Sequence, residues 1–316
     1  MNVAVTGASG FIGTHLVPAL EEYGWNVTAV MEPGDPAGVG NVRAFPADIV
    51  SGTGLMEALS SADAVVHLAA RNHVLRETGK DPLAEYRRVN VEGTRNVVRV
   101  AARSGARVFV LASSVKVMGE ITENVLDETV LCSPSTPYGI SKRESEEIVG
   151  AETNGTEMSS IVLRLPMVYG PGNKGNLPRM IRWADRGYPF PIFQPDNLRS
   201  MAYVGNVVAG IMAILKASPQ GSTTYILKDR QDYSTRMIYG EICDALGRKP
   251  HYLPVPSLAV RLGGLLSEDF RKITGSFRVN SAKFEEDFHF TPPFSLEEGI
   301  ARTVQWYKRS VQSRSA

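Results

Sequence analysis

Three residues near the middle of the chain have the types and spacing to move a proton on or off an alcohol. Tyr138 and Lys142 stand four apart in YGISK, which on a helix puts phenol and ammonium side by side on one face. A nearby cation stabilises phenolate and draws a tyrosine pKa down from about 10 toward neutrality. Such a pair could act as general acid or base for a hydroxyl or carbonyl. Ser113 and Ser114 close an apolar run upstream, where a hydroxyl could orient the same oxygen. The plainer alternatives are a solvated helix face for the pair and turn residues for the serines. A redox partner for this chemistry is suggested at residues 2–13, NVAVTGASGFIG: a short apolar strand, a turn punctuated by Gly7, Gly10 and Gly13, then a helix. Glycines so placed let backbone N–H groups approach a dinucleotide diphosphate, and the helix N-terminus favours its charge.

The elements that must position these groups follow from the pattern of apolar runs. Strands are expected at 26–31, 42–46, 63–70, 107–113 and 160–165, and helices at 11–23, 53–60, 82–104 and 136–149. Strands alternating with helices imply right-handed βαβ units, and so a Rossmann-like, doubly wound parallel sheet of the α/β class. Ligands of such sheets lie beyond the carboxyl ends of the strands. Beyond Gly170 the sequence is richer in loops, with helices expected at 177–186, 203–215, 233–246, 256–266 and 295–308 and a strand at 223–227. The expected division is a dinucleotide-binding domain over 1–172, to which 200–228 returns, and a smaller, mostly helical C-terminal substrate-binding cap over 173–316. The final SVQSRSA reads as a frayed tail.

The 316 residues are 43% hydrophobic and 21% charged, with a formal net charge of +1. That composition argues against disorder, a nucleic-acid partner and an acidic-membrane partner. Cys132 and Cys243 form no CxxC, the five histidines have no ligand spacing, and no metal is expected. No secretory signal and no apolar run of about 18 residues is present, so a cytoplasmic protein is expected.

With these pieces assembled, the sequence resembles the extended short-chain dehydrogenase/reductase superfamily, in its nucleotide-sugar epimerase/dehydratase branch. The resemblance rests on TGASGFIG (6–13), HLAA (67–70), NVEGT (90–94), SSVKVMGE (113–120), YGISK (138–142) and LRLPMVYGPG (163–172). It implies Ser114, Tyr138 and Lys142 as catalytic residues, with Lys142 holding the nicotinamide ribose and lowering the Tyr138 pKa. It implies NAD contacts, with NADP not excluded, at Gly7, Ser9, Gly10, Phe11, Ile12, Gly13, Glu32, Asp48, Ile49, Leu68, Ala69, Ala70, Asn72, Asn90, Ser113, Tyr138, Lys142 and Pro166. Asn90 would brace the backbone of the site, and Asp48 would meet adenine; a polar helix residue and a turn residue are the alternatives. A UDP-sugar would meet Ser114, Lys116, Tyr138, Asn176, Phe193 and Arg199, where Arg199 offers a fork to phosphate and Phe193 a flat face to uracil. The resemblance also suggests a homodimer built on the helices at 82–104 and 136–149.

Three departures from that pattern bear on function. The second strand ends in Met31, with Glu32 beside it to accept from the adenosine ribose and repel a 2′-phosphate, which favours NAD. Val115-Lys116-Val117 replaces the Asp-Glu pair of the dehydratases, so elimination of water is not expected. Lys116, Pro166 and Met167 resemble a subgroup that includes reductases of 4-keto-6-deoxy-UDP-N-acetylhexosamines. The expected function is a UDP-hexose 4-epimerase. The alternatives are a 4-ketoreductase using the same residues, and a non-catalytic dinucleotide-sensing protein.

Overall fold

Seven strands pair side by side in parallel to make the central sheet: β1 (Asn2–Thr6), β2 (Asn26–Met31), β3 (Arg43–Pro46), β4 (Ala64–His67), β5 (Val108–Ser114), β6 (Ser159–Leu165) and β7 (Ser222–Ile226). Their spatial order is β7-β6-β5-β4-β1-β2-β3, with every pairing parallel. The order reverses at β1, which lies between β2 and β4, and this switch point is where doubly wound sheets bind ligands. The structure is a computed structural model and describes residues 1–35, 39, 42–72, 81–120, 124–192, 197–255 and 275–315. Phe193 and the helix expected over 256–266 lie outside the described residues.

Side chains on successive strand residues point to opposite faces, and both faces are covered. Val3, Val5, Val66, Val110 and Ile161 pack in one cluster with residues of α1 (Gly13–Glu22). Ala4, Val65, Phe109, Leu111 and Val162 form the other. To that second cluster come α2 (Leu55–Leu59), α4 (Gly93–Arg103) and α5 (Pro137–Thr153); α3 (Pro82–Tyr86) leads into α4. Burial on both faces explains why these strands read as unbroken apolar runs.

The chain departs from expectation at several places. The strand expected over 63–70 stops at His67, because the chain must then pass over the glycine turn. A Cβ on Gly7 would lie 2.7 Å from the Ala69 backbone nitrogen. The helix expected over 82–104 is interrupted by a π turn, Arg87–Glu92. Its start is fixed by Asp81, whose carboxylate accepts from Ala84 N at 3.1 Å, with Pro82 in the first turn. A short 3₁₀ turn, Val115–Met118, follows β5 directly.

Further along come α6 (Leu177–Asp185), α7 (Val204–Ala217), α8 (Thr235–Leu246), α9 (Ala282–Asp287) and α10 (Leu296–Ser315). The last of these corrects the frayed tail, since it continues to Ser315. Val207, Ile211 and Ile214 of α7 and Phe284 of α9 pack with the first face of the sheet. Leu177, Ile181, Tyr239, Ile242, Ile300 and Val304 instead join α6, α8 and α10 in a separate core with Tyr169 and Tyr203. Three strand pairs were not expected: Met167–Tyr169 with Met201–Tyr203, Phe190–Ile192 with Tyr252–Pro254, and Val125–Leu126 with Arg278–Val279. At two or three residues each, they are too short for a periodicity to show. Among the described residues no helix is long and apolar enough to cross a membrane.

Candidate active site

The glycine turn is closed by backbone crowding. Gly7 has φ +68°, and a Cβ on Gly13 would come within 2.5 Å of both the Gly7 and Ala8 carbonyl oxygens. Gly10 N donates to Gly7 O at 2.9 Å. The turn leads into α1, where Thr14 N donates back to Gly10 O at 2.9 Å and the positive end of the helix faces the turn. This cradle, which side chains would fill, suits a dinucleotide diphosphate. Phe11 and Ile12 are half-buried between the turn and the neighbouring cores. Ser9 Oγ donates to Asp35 Oδ2 at 2.5 Å, bringing an acid into the turn that the sequence argument missed. Glu32 is exposed beside the buried Met31.

Asp48 accepts from Val50 N at 2.8 Å, and that bond holds its carboxyl below the usual range. Its side chain therefore shapes its own turn. Ile49 packs on Gly93, where a Cβ would sit 2.8 Å from Ile49 Cδ1, and its carbonyl accepts from Asn96 Nδ2 at 2.9 Å. Leu68, Ala69 and Ala70 run half-buried along the turn, and Asn72 offers its carbonyl to Tyr86 OH at 3.2 Å.

The π turn places Asn90 inward, 1% exposed. Its Oδ1 accepts from Arg71 N at 2.8 Å, and its Nδ2 donates to Arg71 O at 3.1 Å and Ser141 Oγ at 3.0 Å. The Asn90 carbonyl accepts from Ser145 Oγ at 2.8 Å. One side chain thus ties the loop after β4 to α5. π turns of this kind often mark functional positions.

Thr136 caps α5 by accepting from Gly139 N at 3.2 Å. The helix then carries Tyr138 and Lys142 one turn apart beside the end of β5. A Cβ at Gly139 would meet the Lys116 carbonyl at 2.8 Å, so α5 lies hard against the 3₁₀ turn. Ser114 Oγ accepts from Lys116 N at 3.2 Å and hydrogen-bonds the Tyr138 phenol. Lys142, 4% exposed, donates from Nζ to Ala112 O at 2.8 Å. Burial pushes the Tyr138 hydroxyl up to about 12, with Ser114 pulling the other way. Lys142 was expected to lower it, yet burial of the phenolate dominates and the group that opposes burial is Ser114. Burial likewise pushes Lys142 down to about 8, opposed by Glu146.

Ser113 does not face the same way as Ser114. Its Oγ donates to Glu146 Oε1 at 2.6 Å. Glu146 also accepts from Arg164 Nε at 3.0 Å and Nη2 at 2.7 Å, a buried bidentate pair behind the site. Glu146 was missed because it reads as a polar helix residue. The available signal was Arg164 itself, a charge inside the apolar run SSIVLRLP that demands a buried partner.

Of the remaining candidates, Pro166 is buried at the end of β6, and Asn176 is exposed at the start of α6. Lys116 Nζ is ion-paired with Glu120. Arg199 pairs through its backbone with Tyr233 and Phe277, and its Nε donates to Gly275 O at 3.1 Å. Burial lowers the Arg199 pKa, and Glu120 opposes that shift. Among the described residues no three His, Cys, Asp or Glu side chains group to hold a metal ion.

Comparison with known proteins bears on the family of this chain. The model of the NAD dependent epimerase/dehydratase family matches residues 3–227. The chain belongs to that family. It is similar to the UDP-glucose 4-epimerase of Vibrio cholerae, 31% identical over 317 aligned residues that span 96% of this chain and 94% of that one. It is also similar to the N-acetyl-alpha-D-glucosaminyl-diphospho-ditrans,octacis-undecaprenol 4-epimerase of Escherichia coli O157:H7, at 30% identity over 96% and 95% of the two chains. The solved structure of MoeE5 in complex with UDP-glucuronic acid and NAD superposes with a TM-score of 0.80 at 28% identity, over 98% of this chain and all of that one. As a member of the NAD-dependent epimerase/dehydratase family, this protein is an NAD-dependent enzyme of the extended short-chain dehydrogenase/reductase type.

Proposed function

We propose that the protein is a UDP-hexose 4-epimerase. The observation that carries this reading is the meeting of Ser114, Tyr138 and Lys142 at one strand end beside the glycine cradle. The Vibrio cholerae relative and the solved complex above support a nucleotide-sugar substrate. NAD, when bound, supplies a reversible hydride acceptor. Gly7, Gly10 and Gly13 would hold its diphosphate, and Lys142 its nicotinamide ribose.

The chain's own residues do the proton work. Ser114 donates to the C4 oxygen and fixes it against Tyr138. Tyr138 takes the hydroxyl proton as C4 becomes a ketone, and returns it once the sugar has presented its other face. A positive charge near the phenol opposes the effect of burial and favours Tyr138 as the base. Asn176 and Arg199 would hold the nucleoside diphosphate, with Arg199 as the phosphate fork. Asp35, bonded to Ser9, adds a second acid to Glu32 near the adenosine end and favours NAD over NADP.

The purified protein, incubated with UDP-glucose or UDP-N-acetylglucosamine and no added cofactor, should form the C4 epimers. Tyr138→Phe should lower turnover about 10²–10⁴-fold while keeping NAD. Undiminished turnover would overturn the mechanism. Failure to epimerise, together with consumption of NAD(P)H on a 4-keto sugar, would move the assignment to the ketoreductase.

A further inference from the structure

Lys116 stands two residues past Ser114, and its carbonyl presses on Gly139 beside Tyr138. Its side chain therefore leaves the backbone two residues from Ser114, in the turn packed against Tyr138's helix. An unpaired lysine there would attract a sugar carrying a carboxylate. Lys116 is not unpaired, because Glu120, one turn further on, takes its ammonium. The Glu120 side chain is only 9% exposed, whereas that of Lys116 is 37% exposed. The buried Glu120 Oε1 has no hydrogen-bond partner. Arg199, the cation expected at the diphosphate, lies within the reach of the same charge.

We propose that the Lys116–Glu120 pair selects the sugar by charge, admitting neutral hexoses and N-acetylhexosamines and rejecting hexuronates. The inference rests on the nucleotide-sugar reading above and assigns its substrate class. Glu120 cancels the cation that a C6 carboxylate would need. The diphosphate is left to Arg199, and the comparison of two ligands that share the same UDP portion removes any effect of the pair on that part from the ratio. Glu120 acts here as a specificity residue through Lys116 and takes no part in proton transfer.

Isothermal titration of the NAD-loaded protein with UDP-glucose and with UDP-glucuronate tests this. The wild type should bind UDP-glucose at least about tenfold more tightly. Glu120→Gln should shrink that ratio by about tenfold, because Lys116 is then free to meet the carboxylate. Lys116→Met should widen it, because Glu120 is then uncompensated. Opposite movements from two substitutions in one pair cannot come from partial unfolding, which lowers both affinities together. Equal affinity of the wild type for the two ligands, or a ratio that neither variant moves, would overturn the proposal while leaving the epimerase reading intact. Failure to bind either UDP-sugar would overturn the nucleotide-sugar reading, and the charge selection with it.

Discussion

Replacing Glu146 by glutamine would strand the Arg164 guanidinium. Both side chains are 4% exposed, and the carboxylate accepts two bonds from Arg164, one from Ser113 and a longer one from the half-exposed Arg143 at 3.4 Å. Glutamine keeps the shape but offers one neutral acceptor oxygen, so a buried positive charge is left without its counter-charge. Breaking such a pair costs about 3–5 kcal/mol. With an unfolding entropy of about 2.1 cal/mol/K per residue, a chain of 316 residues would lose roughly 5–8 °C in Tm. A control is at hand in Arg87–Glu144, also bidentate but 50% and 27% exposed. Glu144→Gln should cost at most about 1 kcal/mol. Differential scanning fluorimetry at pH 7 compares the two. A double variant, Glu146→Leu with Arg164→Met, should recover much of the loss, because it removes the stranded charge along with the pair. Equal losses for Glu146→Gln and Glu144→Gln, or a double variant worse than Glu146→Gln alone, would refute this account. The substitution also has a functional signature. Glu146 raises the Lys142 pKa against burial, so without it any step that needs the ammonium should fail at a lower pH.

Two further outcomes follow. His67 is fully buried between Thr6 Oγ1 at 2.6 Å and Thr94 Oγ1 at 3.0 Å, and burial pushes its pKa down to about 3. Its unfolded pKa is near 6.5, so its contribution to stability should be level above that value and fall by about 1.4 kcal/mol per pH unit below it, toward pH 3. Urea titrations at pH 7 and 5.5 should show His67→Gln with a shallower acid slope than the wild type; an identical slope would place the acid sensitivity elsewhere. Gly7→Ala meets both a φ of +68° and a backbone atom at 2.7 Å. It should cost about 1–3 kcal/mol and abolish retention of NAD through gel filtration, and a variant that keeps its NAD would contradict the cradle.

What the sequence made legible was whatever repeats or recurs at a fixed step. Unbroken apolar runs gave the sheet, three glycines at steps of three gave the turn, and a four-residue interval put Tyr138 over Lys142 on α5. What it hid depends on contacts between distant segments. Asp35 looks like a loop acid until Ser9 is seen to donate to it. Glu146 looks solvated until Arg164 arrives from β6. Glu120 looks like the end of a motif until its side chain proves buried against Lys116. The Tyr138 pKa was misjudged because helical spacing reports a neighbour's charge but not the loss of water around the phenol. The three short strand pairs escaped because two or three residues carry no period.

The π turn at Arg87–Glu92 has a consequence for how the long helix divides its labour. One surplus residue in a turn rotates everything after it by about 100° relative to an uninterrupted α-helix. The stretch at Tyr86 and Asn90 is phased toward Arg71, Tyr138 and Ser141, and the stretch from Gly93 is phased toward the sheet through Val97, Val98 and Ala101. A single rod thus addresses two surfaces that no regular helix could face at once. Deleting any one residue of that turn would force a choice between them.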